Sequence, residues 1–169
     1  MKTDSLFYTL FLQAPQLVLE LAGLETTEAA KDYQFRSEEI KQTSFRLDGV
    51  LTPPSGQANL PMLFVETQFQ LEIDFYSRFF CEIFLYLRHN KPVHPWHAVV
   101  IYPSRKMESN EELHYACLLN SPQVHRVYLE DLVNKPNQNA RMRLVLLIVE
   151  DVKQASESAK ALIEVIESR

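Results

Sequence analysis

Apolar residues recur along the chain with two spacings, and each spacing predicts a different kind of element. Between residues 4 and 22 they fall three and four positions apart, as on one face of a helix, and Gly23 is suited to end it. Pro15 is expected to split this helix, since proline has no amide proton to donate inside a helix. Aromatic and branched residues are concentrated in three predicted strands: 33–42, 44–51 and 62–70.

The segment from residue 71 to residue 90 has the strongest helical pattern in the chain. Asp74, Arg78 and Glu82 form a charged stripe with a spacing that suits a ladder of ion pairs on the helix surface. We expect this helix to be the most buried one, because large apolar residues cover most of its circumference: Phe75, Phe79, Phe80, Ile83, Phe84, Tyr86 and Leu87.

The C-terminal half of the chain predicts two further strands and additional helices. Continuous apolar runs at 97–103 and 124–130 are typical of buried strands, and a helix around 109–118 is expected between them. Residues 139–149 fit either a helix or a strand. From Val152 onward, apolar residues on one stripe predict an amphipathic helix that closes the domain.

The composition indicates one globular domain spanning residues 1–169. Of the 169 residues, 46% are hydrophobic and 11% are aromatic, which is enough to form a core without disulfides or a structural metal. The loop at 52–61, dense in Pro, Gly and Ser, is too short to link two domains and is interpreted as a turn connection. Cys81 and Cys117 lie apart in apolar segments, so we expect reduced thiols.

The charge and the apolar runs restrict the partners and the location. The formal net charge of -5 argues against strong non-specific binding of polyanions, although a nuclease with an acidic metal site stays compatible with it. Asp4 and Glu20 interrupt the apolar N-terminus, and no run of about 18 uncharged apolar residues follows. We therefore expect a cytoplasmic protein without a membrane span.

Two acids, Asp48 and Glu66, lie inside otherwise apolar strand segments, where short carboxylates are rare. Strand alternation predicts that Asp48 shares one face with Ser44, Arg46 and Val50, opposite Phe45, Leu47 and Leu51. On the partner strand, alternation groups Glu66 with Gln68 and Gln70. A suitable register would bring both acids within reach of one cation. Two carboxylates and the Thr67 carbonyl are hard oxygen ligands, which suit Mg²⁺.

A longer pattern joins these acids. Asp48 is followed by a loop, and Glu66-Thr67-Gln68 ends a strand just before a helix. This arrangement resembles the PD-(D/E)xK nuclease superfamily, and within it the bacterial recombination-promoting nuclease and transposase-like group, in its mostly uncharacterised cyanobacterial-type branch. That group has E-x-Q in place of E-x-K and a helix with an Arg and a Tyr, matched by Arg78 and Tyr86. The resemblance covers roughly residues 1–132 and includes the phrases FRLDGV, FVETQFQ and RFFCEIFLYLR.

The resemblance implies a restriction-endonuclease-like α/β fold with a central mixed sheet of about five strands flanked by helices. The implied order is a helix, three strands in a meander, a helix and two strands, with added C-terminal helices. Asp48 and Glu66 are implied as catalytic ligands of Mg²⁺, for which Mn²⁺ can substitute, with the Thr67 carbonyl as an auxiliary ligand. Where most of the superfamily has a lysine, this chain has Gln68, which can orient a water or a phosphate oxygen but cannot transfer a proton.

Other charged residues are candidates for auxiliary roles at this site: Asp4, Glu39, Lys41, Arg46 and Arg78. The resemblance adds Asp4, whose alternative role is a helix cap. Glu39 and Lys41 either join the site or are solvated. Arg46 and Lys41 are also alternative partners for Asp48 if that acid is only structural. Arg78 either contacts a phosphate or belongs to the helix-surface ladder.

Two more groups of residues have side chains suited to binding. A basic cluster either contacts a phosphate backbone or forms an ordinary charged rim: Arg88, Lys91, Arg105 and Lys106. His94 and His97 have H-x-x-H spacing, but Pro95 prevents the regular helix that would align them on one zinc ion. We therefore do not expect a zinc site in this segment.

The expected function is that of a Mg²⁺-dependent endonuclease that hydrolyses DNA phosphodiesters, with DNA as the partner and a homodimer as an open alternative to a monomer. A different class of function is also open: a non-catalytic module that keeps the nuclease fold to bind nucleic acid or protein. Neutral Gln68 in place of a lysine, the acidic balance and the large aromatic content favour the module. Acids that lie close together and bind Mg²⁺ would favour the enzyme, whereas a salt bridge that plugs the site would favour the module.

Overall fold

A five-stranded mixed sheet with helices on both faces forms the centre of the structure. The structure is a computed structural model, which describes residues 2–24, 32–40, 45–110, 112–133, 135, 139–149 and 158–159. The strands are β1 (Gln34–Ile40), β2 (Phe45–Thr52), β3 (Met62–Thr67), β4 (Trp96–Tyr102) and β5 (Val124–Tyr128). The helices are α1 (Lys2–Gln13), α2 (Gln16–Leu21), α3 (Phe75–Asn90), α4 (Glu112–Leu119) and α5 (Ala140–Leu146).

The strands lie in the sheet in the same order as in the chain. β1, β2 and β3 form an antiparallel meander, while β3, β4 and β5 are parallel, with α3 and α4 as the crossover helices. This arrangement confirms the predicted α/β fold with a mixed sheet flanked by helices. The division at Pro15 between α1 and α2 is also confirmed, and the ambiguous segment at 139–149 contains helix α5.

Each face of the sheet has its own apolar core. On one face, α1, α2 and α5 cover a cluster that includes the strand residues Phe35, Leu51, Leu63, Val65, Val99 and Ile101. On the other face, α3 and α4 cover a cluster that includes Leu47, Val50, Met62, Phe64, Val100 and Tyr102. Burial of β3 and β4 on both faces explains why both strands are nearly continuous apolar runs.

Helix α3 is deeply packed, but it is oriented differently from the sequence-based prediction in two respects. Phe75, Phe79 and Ile83 are buried as expected, whereas Phe84 is 46% exposed. The predicted charged ladder does not lie on the helix surface, because Arg78 and Glu82 face the sheet and Glu82 is only 1% exposed. A polar stripe therefore lies inside the core layer.

The alternation predicted for β2 is wrong because this strand contains a bulge. The pairing of β1 with β2 shifts between Arg36, which is opposite Val50, and Glu38, which is opposite Leu47. Two residues of β2, Asp48 and Gly49, therefore lie opposite one residue of β1. As a result, Leu47 packs on the same face as Val50 instead of on the face of Leu51.

Other expectations concern the cysteines, the membrane and the tail. Cys81 and Cys117 are free thiols as predicted, although both are exposed instead of packed. Within the described ranges, no helix has the length and apolar character needed to cross a membrane. The amphipathic helix expected from Val152 onward lies almost entirely outside the described residues.

Replacing Phe79 by Ala should lower the free energy of unfolding by about 3 to 5 kcal/mol, because the ring is fully buried between α3 and the sheet. Phe84→Ala on the same helix is the matched control and should cost less than about 1 kcal/mol, since this ring is half-exposed. Denaturant unfolding measures both values. Equal losses at the two positions would contradict the orientation of α3.

Gly49 is required by the packing of β1 against β2, since a Cβ at this position would overlap the ring of Phe35. Gly49→Ala should therefore destabilise the protein by about 1 to 3 kcal/mol through overpacking. The same substitution in a Phe35→Leu background should cost clearly less, and a double-mutant cycle in denaturant measures the coupling. Additive losses would show that the ring is not the obstacle.

Candidate active site between strands β2 and β3

The candidate acids lie where β2 and β3 stop pairing. The register between these strands runs from Leu51, opposite Leu63, to Gly49, opposite Val65. One residue further, the backbone N–H of Asp48 donates to a carboxylate oxygen of Glu66 at 3.4 Å instead of to a strand carbonyl. The two acids are thus neighbours across the end of the ladder, and a side chain completes the backbone hydrogen bonding there.

Glu82 of α3 enters the same gap from the helix side. Its carboxylate accepts a hydrogen bond from the backbone N–H of Arg46, and the side chain is almost fully buried. Glu66 is also buried, at 4% exposure. The carboxylates of Glu66 and Glu82 therefore accept hydrogen bonds from two backbone N–H groups of β2, those of Asp48 and Arg46.

The guanidinium of Arg78 lies between these carboxylates. Its Nη2 is 3.0 Å from Oε1 of Glu66, and its Nη1 is 3.3 Å from both oxygens of Glu82. Its remaining contacts go to Glu72 in the loop before α3, with Nε at 3.0 Å from Oε1 and Nη2 at 3.1 Å from Oε2. One cation thus bridges three carboxylates, two of them buried.

The site holds more negative charge than Arg78 neutralises. Burial and the charge of nearby Asp48 raise the pKa of Glu66 to about 8, despite the opposing effect of Arg78. Burial also raises the pKa of Glu82, and Asp48 contributes to that rise. Glu72 shows the opposite behaviour: its hydrogen bonds from Arg78 lower its pKa. Burial is the largest cause of the rise in both raised pKa values, and the neighbouring acids add to it.

The side chain of Asp48 lies on the side of the sheet that faces α1, although its backbone N–H contacts Glu66. It is exposed and lines a cavity of about 460 Å³ under α1, together with Phe7, Tyr8, Phe11, Phe35, Ser37, Arg46, Val65 and Thr67. The bulge at Asp48 and Gly49 explains this position, because it breaks the alternation that would have placed Asp48 on the α3 side with Val50. Exposed Asp48 therefore lies on the α1 side of the sheet, whereas buried Glu66 lies on the α3 side.

The side chain of Gln68 is held by hydrogen bonds within its own loop. Its side-chain amide donates to the carbonyl of Gln70 at 2.5 Å and to Glu72 at 3.4 Å. Its backbone N–H donates to the carbonyl of Ile101 in β4. The amide thus links the loop after β3 to the Arg78 cluster instead of pointing toward Asp48.

The structure brings Glu66 and Arg78 together and adds two acids that the sequence analysis did not assign to the site, Glu72 and Glu82. The side chains of Asp48, Arg46 and Thr67 instead line the cavity under α1, on the opposite face of the sheet. The position of Glu82 four residues after Arg78 indicates an ion pair between them, but a charged stripe with this spacing usually lies on the helix surface. Tyr86 packs edge-on against Phe64, away from the cluster. The side chains of Asp4 and Glu39, and all of Lys41, lie outside the described part of the chain.

The predicted basic cluster is only partly available for phosphate contacts. Arg105 makes a two-pronged ion pair with Asp131, both distances being 2.6 Å, and its guanidinium lies over the ring of Tyr128. Arg88 and Lys91 at the end of α3 are exposed. Among the described residues, no group of three or more His, Cys, Asp or Glu side chains is arranged to hold a metal ion.

The fold and the site define an α/β protein with a carboxylate cluster at the point where two antiparallel strands diverge. The chain belongs to the family described as "Protein of unknown function (DUF2887)", whose model matches residues 3–169. No curated protein and no solved structure matches the chain.

Glu66→Gln should change the pH dependence of stability. Because the folded state raises the pKa of Glu66 from 4.5 to about 8, this group favours folding at acidic pH, and that contribution is lost as the pH rises toward 8. The variant should therefore gain stability relative to wild type between about pH 5 and pH 8. Unfolding in denaturant across this range measures the difference.

Glu72→Gln is the control with the opposite sign. Its folded pKa is lowered, so its contribution is present above the unfolded value and lost as the pH falls. This variant should lose stability at neutral pH and approach wild type in acid. Parallel pH profiles for the two variants would contradict the charge assignment.

Proposed function

We propose that this protein is a Mg²⁺-dependent endonuclease-like protein that hydrolyses phosphodiester bonds in DNA. The observation that supports it best is the position of the Glu66 carboxylate, which accepts a hydrogen bond from the backbone N–H of Asp48 at the divergence of β2 and β3. The contact of three carboxylates with the single guanidinium of Arg78 also favours the uptake of a cation. The proposal includes a cytoplasmic location, which agrees with two exposed free thiols.

Asp48 and Glu66 would hold the ion, with the Thr67 carbonyl as an auxiliary ligand. Mg²⁺ accepts such a small set because it keeps several of its own waters. The ion would supply a water of lowered pKa and neutralise charge on the phosphate. Glu66 is oriented for this role by Arg78 and by the Asp48 amide, while exposed Asp48 gives access from the cavity under α1.

Arg78 supplies the positive charge that Gln68 lacks. In the resembled superfamily a lysine stabilises charge near the attacked phosphate, and in this chain the guanidinium of Arg78 is the cation in contact with Glu66. Its side chain is 28% exposed, so part of it reaches solvent. A planar guanidinium suits two phosphate oxygens at once, and it stays charged at every working pH. Gln68 would orient the loop and, through Glu72, the guanidinium.

A second candidate function is a non-catalytic module that binds nucleic acid or protein. The salt bridge between Arg78 and Glu66 favours it, because a guanidinium already occupies the side of Glu66 that a metal would neutralise. A second ion pair, between Arg78 and Glu82, stabilises the gap between the strands without any ligand. The bridging arginine that favours the module is thus present, whereas the carboxylate of Asp48 lies on the α1 face and that of Glu66 on the α3 face.

Nicking of supercoiled plasmid with Mg²⁺ and with Mn²⁺ tests the proposal. Wild type should cleave, Asp48→Asn and Glu66→Gln should reduce the rate by at least about 100-fold, and Arg78→Lys should retain more activity than Arg78→Met. Asp131→Asn, an exposed acid far along the chain in an ion pair with Arg105, is the matched control and should cleave as wild type.

Linear DNA, single-stranded DNA and RNA serve as further substrates, and circular dichroism verifies that each variant is folded. Gln68→Lys should retain or raise cleavage, since it adds a positive charge near the same acids. Equal background cleavage by wild type, Gln68→Lys and Glu66→Gln on every substrate would reject the enzyme and leave the binding module.

A further inference from the structure

Two imidazoles meet on the sheet face that packs against α1, α2 and α5. His97 lies in β4 and His125 in β5, and both belong to the same face as Val99 and Val127 by strand alternation. Nδ1 of His97 and Nε2 of His125 are 2.7 Å apart. The ring planes differ by 8° and the ring centroids are 5.0 Å apart.

These rings meet edge to edge in nearly one plane. A face-to-face stack could not bring two ring nitrogens to 2.7 Å without overlap of the rings, whereas an in-plane hydrogen bond gives this distance. Two N–H groups cannot face each other so closely, so one nitrogen is a bare acceptor. The two nitrogens are therefore directed at one shared proton.

We propose that His97 and His125 form a binding site for a divalent transition metal ion of the Zn²⁺ or Ni²⁺ type, which takes the position of the shared proton. Imidazole suits these ions, whereas Mg²⁺ prefers oxygen ligands. With Zn–N bonds of about 2.0 to 2.1 Å in a tetrahedral site, the two nitrogens, now 2.7 Å apart, must separate by roughly 0.6 to 0.7 Å. Both rings would also have to turn so that each lone pair points at the ion, and water would complete the coordination.

The site is built on rigid elements and its ligands are in a suitable state. The strands that carry the two histidines are paired with each other, and Ala98 and Val124, their neighbours in the chain, are buried. Burial lowers the pKa of both imidazoles, which favours the neutral, metal-binding form. Both rings are only partly buried, so an ion has a route to them.

The H-x-x-H spacing of His94 and His97 is not the source of this site. Nδ1 of His94 contacts the carbonyl of Leu60 at 3.2 Å, so this ring is held elsewhere. The partner of His97 comes from another strand, 28 positions later in the chain. Only the parallel register of β4 and β5 brings the two together.

Calorimetric titration of the full chain without a polyhistidine tag tests the site, with Zn²⁺ and separately with Ni²⁺ in the presence of excess Mg²⁺. Wild type should bind one ion per chain, and His97→Gln and His125→Gln should each weaken binding by at least about 10-fold. His94→Gln and His114→Gln are matched controls. The first is a neighbour held by Leu60 and the second is exposed on α4, so both should bind as wild type.

A second measurement needs no variant and covers the case in which a substitution prevents folding. Substoichiometric Ni²⁺ should broaden the ring NMR signals of two histidines first, and the close contact between the rings of His97 and His125 assigns these signals in the wild-type protein. Absence of binding, equal affinity in all four variants, or broadening that begins at other histidines would each overturn the site. The result is independent of the nuclease proposal, because Asp48 and Glu66 are unchanged throughout.

Discussion

The structure around the candidate site depends on one imbalance: two buried carboxylates, Glu66 and Glu82, share the guanidinium of Arg78. Removing a charge from water costs several kcal/mol, and only close, well-bonded opposite charges offset that cost. One guanidinium cannot neutralise two carboxylates completely, so at least one of them tends to keep a proton, as the raised pKa of Glu66 indicates. This region is accordingly sensitive to any further cation.

The same carboxylates also solve a problem of backbone hydrogen bonding. When β2 separates from β3, the amide groups of Arg46 and Asp48 lose their strand partners, and an unpaired buried amide is costly. Glu66 and Glu82 accept these hydrogen bonds. The acids therefore have a structural role in addition to any chemical one, and an isosteric Gln is the informative substitution because it keeps an acceptor while removing the charge.

The sequence predicted the fold better than it predicted the site, for identifiable reasons. Element positions follow from apolar periodicity, and Pro15 ends α1 through its own backbone chemistry. The bulge at Asp48 has no such signature, since the steric need for Gly49 arises from Phe35 on another strand. Glu82 was misassigned to the surface because a charged stripe with i, i+4 spacing is usually solvated. Its burial follows from the divergence of two distant strands, which no local pattern encodes.

The enzyme and the binding module differ physically in what neutralises the surplus charge of this site. In the module, a proton on Glu66 and the bridge from Arg78 are sufficient, and nothing further is needed from solvent. In the enzyme, Glu66 would hold a divalent ion in place of that proton, and Asp48 would have to reach the ion from the open cavity under α1. Arg78 would then be released in part from Glu66, yet Glu72 and Glu82 would still hold it beside the site. The cluster thus contains enough acids for a cation to enter without expelling the arginine.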